Sequence, residues 1–356
     1  MKPILAPRIA WLDVLRGIAI ILMIPANLSL LWTEAHPLWF RIVASYAAPI
    51  FIMLSTGMVV LNANKYDFKH FFQRGLIIIG FAILMDICIW KIFPFVTYDV
   101  LYLIGFALPV IYLIRHFSIA KLALLGTSIF MLTPYLQHIA GYHPNITEIT
   151  LINPYWPGTL RLLQTWLIDG WFPVFPWLGV ALFGAAFFRI VFFQQPYLIS
   201  KKMVILGCLL LLIGFILLFI PTSAFNNITN HGIMTERNGF SEIFYPPTVV
   251  YLITAIGMVI ILARVAQYFT QFSFSKILAL FGRFSLFIYL LHQAIAVFII
   301  TPILKIYGMN SITSGLLFAS CVLLTIITAY FSCLLIERLK RIYLPSSLFL
   351  QMVIGK

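Results

Sequence analysis

Charge is scarce in this chain. Only 9% of its 356 residues are Asp, Glu, Lys or Arg, and ten of these are acidic. Soluble domains carry about a quarter charged residues, so an ordinary water-facing surface is excluded. Cysteine is sparse too. Cys88, Cys208, Cys321 and Cys333 all fall within apolar runs at no metal-ligand or disulfide spacing, and they read as buried packing residues. Neither a metal site nor a disulfide framework is expected. The first apolar stretch has no small-residue cleavage site, so no cleavable signal peptide is expected. The formal net charge is +13, but the bases form no block of the kind that binds nucleic acid.

What the chain has in abundance is apolar surface: 62% hydrophobic residues, with a mean hydropathy of +1.04. Ten segments are long enough to cross a bilayer, near 10–32, 41–61, 74–93, 98–115, 119–137, 172–192, 203–221, 246–266, 279–302 and 312–335. The expected fold is all-α, a polytopic membrane protein of about ten transmembrane helices in one bundle, with residues 1–356 forming a single domain. No internal repeat is evident, which argues against an inverted-repeat transporter. The connections alternate in charge. One set, including both termini, carries 17 Lys and Arg, whereas the opposite set has Arg41, Lys91, Arg161, Arg237 and Lys305. The positive-inside rule then places both termini in the cytoplasm, and Asn27, His36 and the loops 138–171 and 222–245 on the outer side. Glu34, Asp99, Glu148, Asp169, Glu236 and Glu242 fall on that side as well.

A few polar residues interrupt the apolar spans. Asp13, Arg16, Ile20, Met23 and Asn27 follow steps of three and four, which puts them on one helical face. Ionised or amide groups cost several kcal/mol in hydrocarbon, so this face points to the bundle interior or to a wet cavity. Asp13 and Arg16, one turn apart, can also be a structural pair that satisfies itself. Asn27 lies about 16 Å further along the helix and escapes that explanation. Asp86, inside the third span, is a proton or substrate group or the buried partner of a base. Ser285, Tyr289 and His292 share a face of the ninth span, with Gly282 and Arg283 at its cytoplasmic entrance. Arg74 and Arg283 at inner helix ends could grip a phosphate-bearing ligand or snorkel to lipid headgroups. The run Asp169-Gly-Trp-Phe-Pro173-Val-Phe-Pro176-Trp177 enters the sixth span with two prolines, which forbid a regular first turn beyond its start.

These elements together resemble a known family, the membrane acyltransferases related to heparan-α-glucosaminide N-acetyltransferase. The resemblance rests on Leu12-Asp-Val-Leu-Arg16-Gly17 through Asn27, His36-Pro37, Ala47-Ala-Pro49-Ile-Phe51 with Ser55 and Gly57, the Asp169 to Trp177 run, Tyr245-Pro-Pro247, and Gly282-Arg283-Phe-Ser285 through Tyr289 to His292-Gln293. It implies an enzyme that takes an acetyl group from cytoplasmic acetyl-CoA, used as donor substrate without a metal, and delivers it to an amino sugar or other glycan acceptor across the membrane. A bacterial inner membrane is the implied location. The resemblance also implies that Asn27 and His36 serve the reaction, with His36 as base and Asn27 as donor to the developing oxyanion, both looking into one water-accessible passage. Arg16, Arg74 and Arg283 are the candidates for the donor's phosphates. Asp13, Asp86, Asp169, Ser285, Tyr289 and His292 are candidates for the substrate cavity. Direct transfer and an acetyl-histidine intermediate both stay open, as does a homodimer. The competing reading is a transporter or flippase of a polar lipid or sugar, which would share the polar faces but need no reactive histidine.

Overall fold

A computed structural model of the chain describes residues 9–143, 145–193, 198–219, 237–240, 242–243 and 247–342. Arg8, Glu236, Tyr245, Pro246 and the tail beyond Ile342 lie outside the described residues. In chain order the helices are α1 (Ala10–Leu28), α2 (Leu38–Ala44), α3 (Ala47–Asn62), α4 (Phe68–Met85), α5 (Val100–Leu113), α6 (Ile119–Ala140), α7 (Thr159–Gln164) and α8 (Val174–Phe193). They continue with α9 (Lys201–Phe219), α10 (Val249–Phe269), α11 (Ser275–Arg283), α12 (Ser285–Ile295), α13 (Thr301–Ile306) and α14 (Gly315–Ile342). Among the described residues there is no strand, only isolated bridges. The protein is an all-helical integral membrane protein, and a lipid bilayer surrounds it.

Among the described residues each of the ten apolar segments contains helix, but not all are equal. Eight helices among the described residues have the length and hydropathy to cross a membrane. The fourth segment yields only the 14-residue α5, whose start is set by Asp99, which accepts from Val100 N at 2.6 Å. The seventh is the 19-residue α9. The sixth behaves as its prolines require: Phe175, between Pro173 and Pro176, leaves helical geometry at φ −97°, ψ 116°. The cysteines depart from expectation. Cys333 is buried, but Cys88 and Cys208 stand on outward helix faces, where a small apolar side chain is as well placed against lipid as in a core.

Helix α1 organises the bundle, packing on α3, α10, α11, α12 and α14. Its contact with α11 is backbone to backbone. A Cβ on Gly282 would lie 1.8 Å from the Asp13 carbonyl oxygen, and one on Gly17 would lie 2.0 Å from that of Leu278. Only glycine permits this approach, the small-residue device by which membrane helices gain contact without a hydrophobic driving force.

At the base-poor end the loops are tied to one another. Phe93 N donates to Ile149 O at 2.7 Å and Leu151 N to Lys91 O at 2.9 Å, while Trp171 N and Phe172 N reach Thr97 O and Tyr98 O. Asn238 grips Ile146 through both ends of its amide, accepting from N at 3.0 Å and donating to O at 2.9 Å. Arg237, buried, donates to the carbonyls of Asp169, Gly170 and His143 and sits over the Tyr142 and Trp171 rings. Backbone carbonyls taken out of water need such partners, and one guanidinium supplies three. The described residues of the Trp-rich loop 138–171 thus form an ordered roof.

Candidate active site

Beneath this roof lies a cavity of about 430 Å³. Its wall combines four carboxyl groups (Asp86, Asp99, Glu148, Glu242), three amides (Asn27, Asn238, Gln293) and the aromatic side chains of Trp90, Trp171, Phe172 and Phe240. Among the described residues its lining contains no Lys or Arg. An excess of carboxylates and carboxamides beside aromatic faces suits a polyhydroxylated or cationic ligand and disfavours phosphates.

Each polar group is placed by an identifiable local device. Asp86 and Trp90 open and close a five-residue π-helical turn at the end of α4, which is followed by Lys91 at φ 57°. The extra residue of a π turn redirects side chains that an α-helix would send elsewhere, a frequent feature of functional sites. Asp86 Oδ2 accepts from the Tyr102 hydroxyl at 2.6 Å, and Trp90 Nε1 donates to Gln293 Oε1 at 2.6 Å. Asp99 is held twice, by Val100 N and by the Tyr289 hydroxyl. Two of the four carboxyl groups therefore face tyrosine hydroxyls from neighbouring helices.

Asn27 comes two residues after Pro25 in α1, and its Nδ2 lies 3.0 Å from His292 Nε2. The His292 tautomer follows from its partners. Nδ1 lies 2.9 Å from the Ile288 carbonyl oxygen and must donate, so Nε2 of the neutral ring accepts from the amide. One N–H of the Asn27 amide is used in this bond. The second N–H and the carbonyl remain for whatever fills the cavity.

The residues expected from sequence separate into three groups. Asn27 and Asp86 line the cavity, and Tyr289 and His292 stand directly behind its wall through Asp99 and Asn27. Asp169 is fully buried in the roof, accepting from Arg161 Nη1 at 2.6 Å with His143 Nδ1 at 3.1 Å, and does not line the cavity. Toward the basic end, Arg16 Nη1 bonds Asp13 Oδ1 at 3.1 Å, Arg283 pairs with Glu337 at 2.6 Å, and Arg74 is exposed within repulsive range of Arg16. Ser285 is half-buried at the start of α12.

His36 goes elsewhere. Its ring packs at 5.0 Å from that of Trp32 and 6.0 Å from that of Phe40, and its Nε2 lies 3.1 Å from the Trp32 carbonyl oxygen. Trp32 in turn stacks on Phe318 of α14, and the segment is pinned by Thr33 N donating to Ile312 O at 3.0 Å. His36 is not among the residues that line the cavity bordered by Asn27. The imidazole that meets Asn27 is His292, because α12 packs against α1 whereas the turn after α1 folds onto α14. Sequence reasoning does not single out Asp99, Glu148, Glu242, Asn238 or Gln293 as cavity residues. Their only sequence signal is acidic or amide character close to span ends on the base-poor side.

Among the described residues no three His, Cys, Asp or Glu side chains are grouped to hold a metal ion. Residues 8–198, more than half the chain, match the family described as heparan-alpha-glucosaminide N-acetyltransferase, catalytic. The matched stretch contains Asn27, Asp86, Asp99, Glu148 and Trp171, while Asn238, Phe240, Glu242 and Gln293 complete the cavity from beyond it. No curated protein matches the chain. With the match covering this much of a polytopic helical bundle and most of its cavity wall, the chain belongs to the heparan-alpha-glucosaminide N-acetyltransferase catalytic family, a family of membrane acetyltransferases.

Proposed function

We propose that this protein transfers an acetyl group from acetyl-CoA to an amino sugar or related glycan acceptor seated in the cavity under the roof. The observation that carries this reading is the composition of the described cavity wall: four carboxyl groups and three amides beside aromatic faces, with no Lys or Arg among them, in a chain of this family. An acceptor that is cationic or rich in hydroxyls finds donors, acceptors and stacking surfaces there. The anionic phosphates of the donor do not, and the basic end of the bundle, with Arg16, Arg74 and Arg283, is their proposed location. We place that end in the cytoplasm, with both termini on the same side, from the distribution of Lys and Arg, and propose a bacterial inner membrane from the family resemblance.

In this reading the acceptor attacks the thioester carbonyl, and the oxygen of that carbonyl gains negative charge. The second N–H of Asn27, already oriented by His292, donates to it; removing such a donor costs about 100- to 1,000-fold in turnover. Transfer is direct. His292 is an unsuitable nucleophile, since Nδ1 donates to Ile288 and Nε2 accepts from Asn27.

The test is purified protein with labelled acetyl-CoA and glucosamine as acceptor. Wild type is expected to form N-acetylated product, and Asn27→Ala to lose about 100-fold in kcat while still binding acetyl-CoA. Equal turnover in the two proteins would remove Asn27 from the chemistry. Uptake of glucosamine into vesicles with no acetylation would favour the transporter reading instead.

A further inference from the structure

We propose that the Glu242 carboxylate takes the proton from the acceptor's ammonium group, making Glu242 a catalytic residue of the transfer. The inference rests on the acyltransfer reading of the cavity. A primary amine attacks a thioester only as the neutral base, so a protonated amino sugar arriving from water must shed a proton inside the site.

The wall offers four carboxyl groups, and their surroundings differ. Asp86 and Asp99 each already accept a hydrogen bond from a tyrosine hydroxyl, Tyr102 and Tyr289, which occupies an oxygen and lowers its basicity. Glu148 is exposed. Glu242 is 5% exposed, and its Oε2 is buried with no hydrogen-bond partner among the described residues. The terminal torsion of a glutamate is broad, so either oxygen can turn to the cavity. The backbone beneath it is fixed. Ile243 N donates to Ser45 Oγ at 2.8 Å, and the Ser45 carbonyl accepts from the Tyr251 hydroxyl at 2.6 Å. The charged and titratable groups around it are Arg41 on α2, Tyr251, which also interacts with Tyr46, and the carboxyl groups of the cavity.

Burial pushes this carboxyl up to about 8, with a hydrogen bond from its own backbone N–H and then Arg41 acting the other way. That is the range of an amino-sugar ammonium, so a proton passes between the two at little cost, the condition for efficient general-base catalysis. An ammonium lodged beside Glu242 favours the carboxylate, which accepts the proton and leaves a neutral amine. The amine lone pair then forms the C–N bond to the acetyl carbon, and the C–S bond breaks with its electron pair remaining on sulfur. The second N–H proton goes to the thiolate, giving free CoA, and Glu242 returns its own proton to water.

The test uses full-length wild type, Glu242→Gln and Glu242→Asp with saturating acetyl-CoA and glucosamine from about pH 6 to 9.5. In Glu242→Gln kcat is expected to fall about 100-fold near pH 8, with the deficit shrinking at higher pH as the amine arrives already neutral and at lower pH as Glu242 itself holds a proton. Glu242→Asp, which keeps the carboxyl function, should retain a pH limb displaced from that of wild type. A loss in Glu242→Gln of equal size at every pH, or no loss, overturns the proposal while leaving acyltransfer intact. Absence of transfer by wild type overturns both. If Glu242→Gln does not fold, an Asp variant with no change in its pH limb overturns the assignment on its own.

Discussion

The two ends of α1 are built on opposite principles. Around Asp13, Arg16 and Gly17 the helix meets α11 with no room for a methyl group, and its charges are paired with each other. Around Asn27 the same helix borders about 430 Å³ of space, and its amide is oriented by a histidine from another span. Polar residues in a membrane helix thus serve two ends that sequence spacing alone does not separate. One set closes the bundle, and the other keeps a cavity polar.

This contrast can be broken at the closed end first. Gly282→Ala is expected to give the largest effect, collapse of the folded protein in detergent, because the new Cβ falls on the Asp13 backbone at 1.8 Å. Gly80 is its control, since a Cβ added there would meet nothing within 4 Å. Gly80→Ala should leave stability unchanged or raise it by up to about 1 kcal/mol from helix propensity, read as an equal or higher thermal midpoint. A stable Gly282→Ala protein would show that the closed end has slack.

The open end is probed by pH. The folded-state pKa of Glu242 is raised to about 8 from an ordinary value of 4.5, so the folded protein binds the extra proton between those values. Its contribution to stability is fully present below about 4.5 and is lost as pH rises through about 8. The thermal midpoint of wild type should therefore fall more steeply from about pH 6 to 9 than that of Glu242→Gln. Parallel curves would mean that the carboxyl is not buried in the folded protein.

Smaller effects separate pairing from packing. Removing either charge of Asp13–Arg16 alone should cost roughly 2 kcal/mol, below the cost for a wholly buried pair since Arg16 is partly exposed. Exchanging the two charges should recover part of that loss, and equal damage in single and double variants would count against pairing. His36→Ala should cost about 1 kcal/mol of aromatic packing and lower turnover less than about tenfold. A loss matching Asn27→Ala would return His36 to the chemistry.

Much of this is legible in the residues. The apolar runs fall on helices, eight of which among the described residues are long and apolar enough to cross a membrane, and Pro173 and Pro176 mark the irregular entry to α8. The three-and-four spacing correctly puts Asp13, Ile20 and Met23 on an inward face, all of them buried. The resemblance carried by the first span matches the family found over residues 8–198. Glu242 and Asp99 are visible only as acids near span ends, since nothing in a linear pattern tells a carboxylate facing water from one facing a roofed cavity. His36 and His292 are each legible as candidates, but which one meets Asn27 is not.

Hydropathy and charge distribution by themselves determined that the chain crosses a membrane as an all-helical bundle, because the cost of exposing backbone and charge to lipid leaves helices as the solution for such runs. Only the tertiary structure decided which polar groups share a cavity. That depends on contacts between residues far apart in the chain, such as Asn27 with His292 and Asn238 with Ile146, and on the π turn that aims Asp86. Side-chain neighbours are set by how helices pack, and helix packing is settled by close approach in three dimensions.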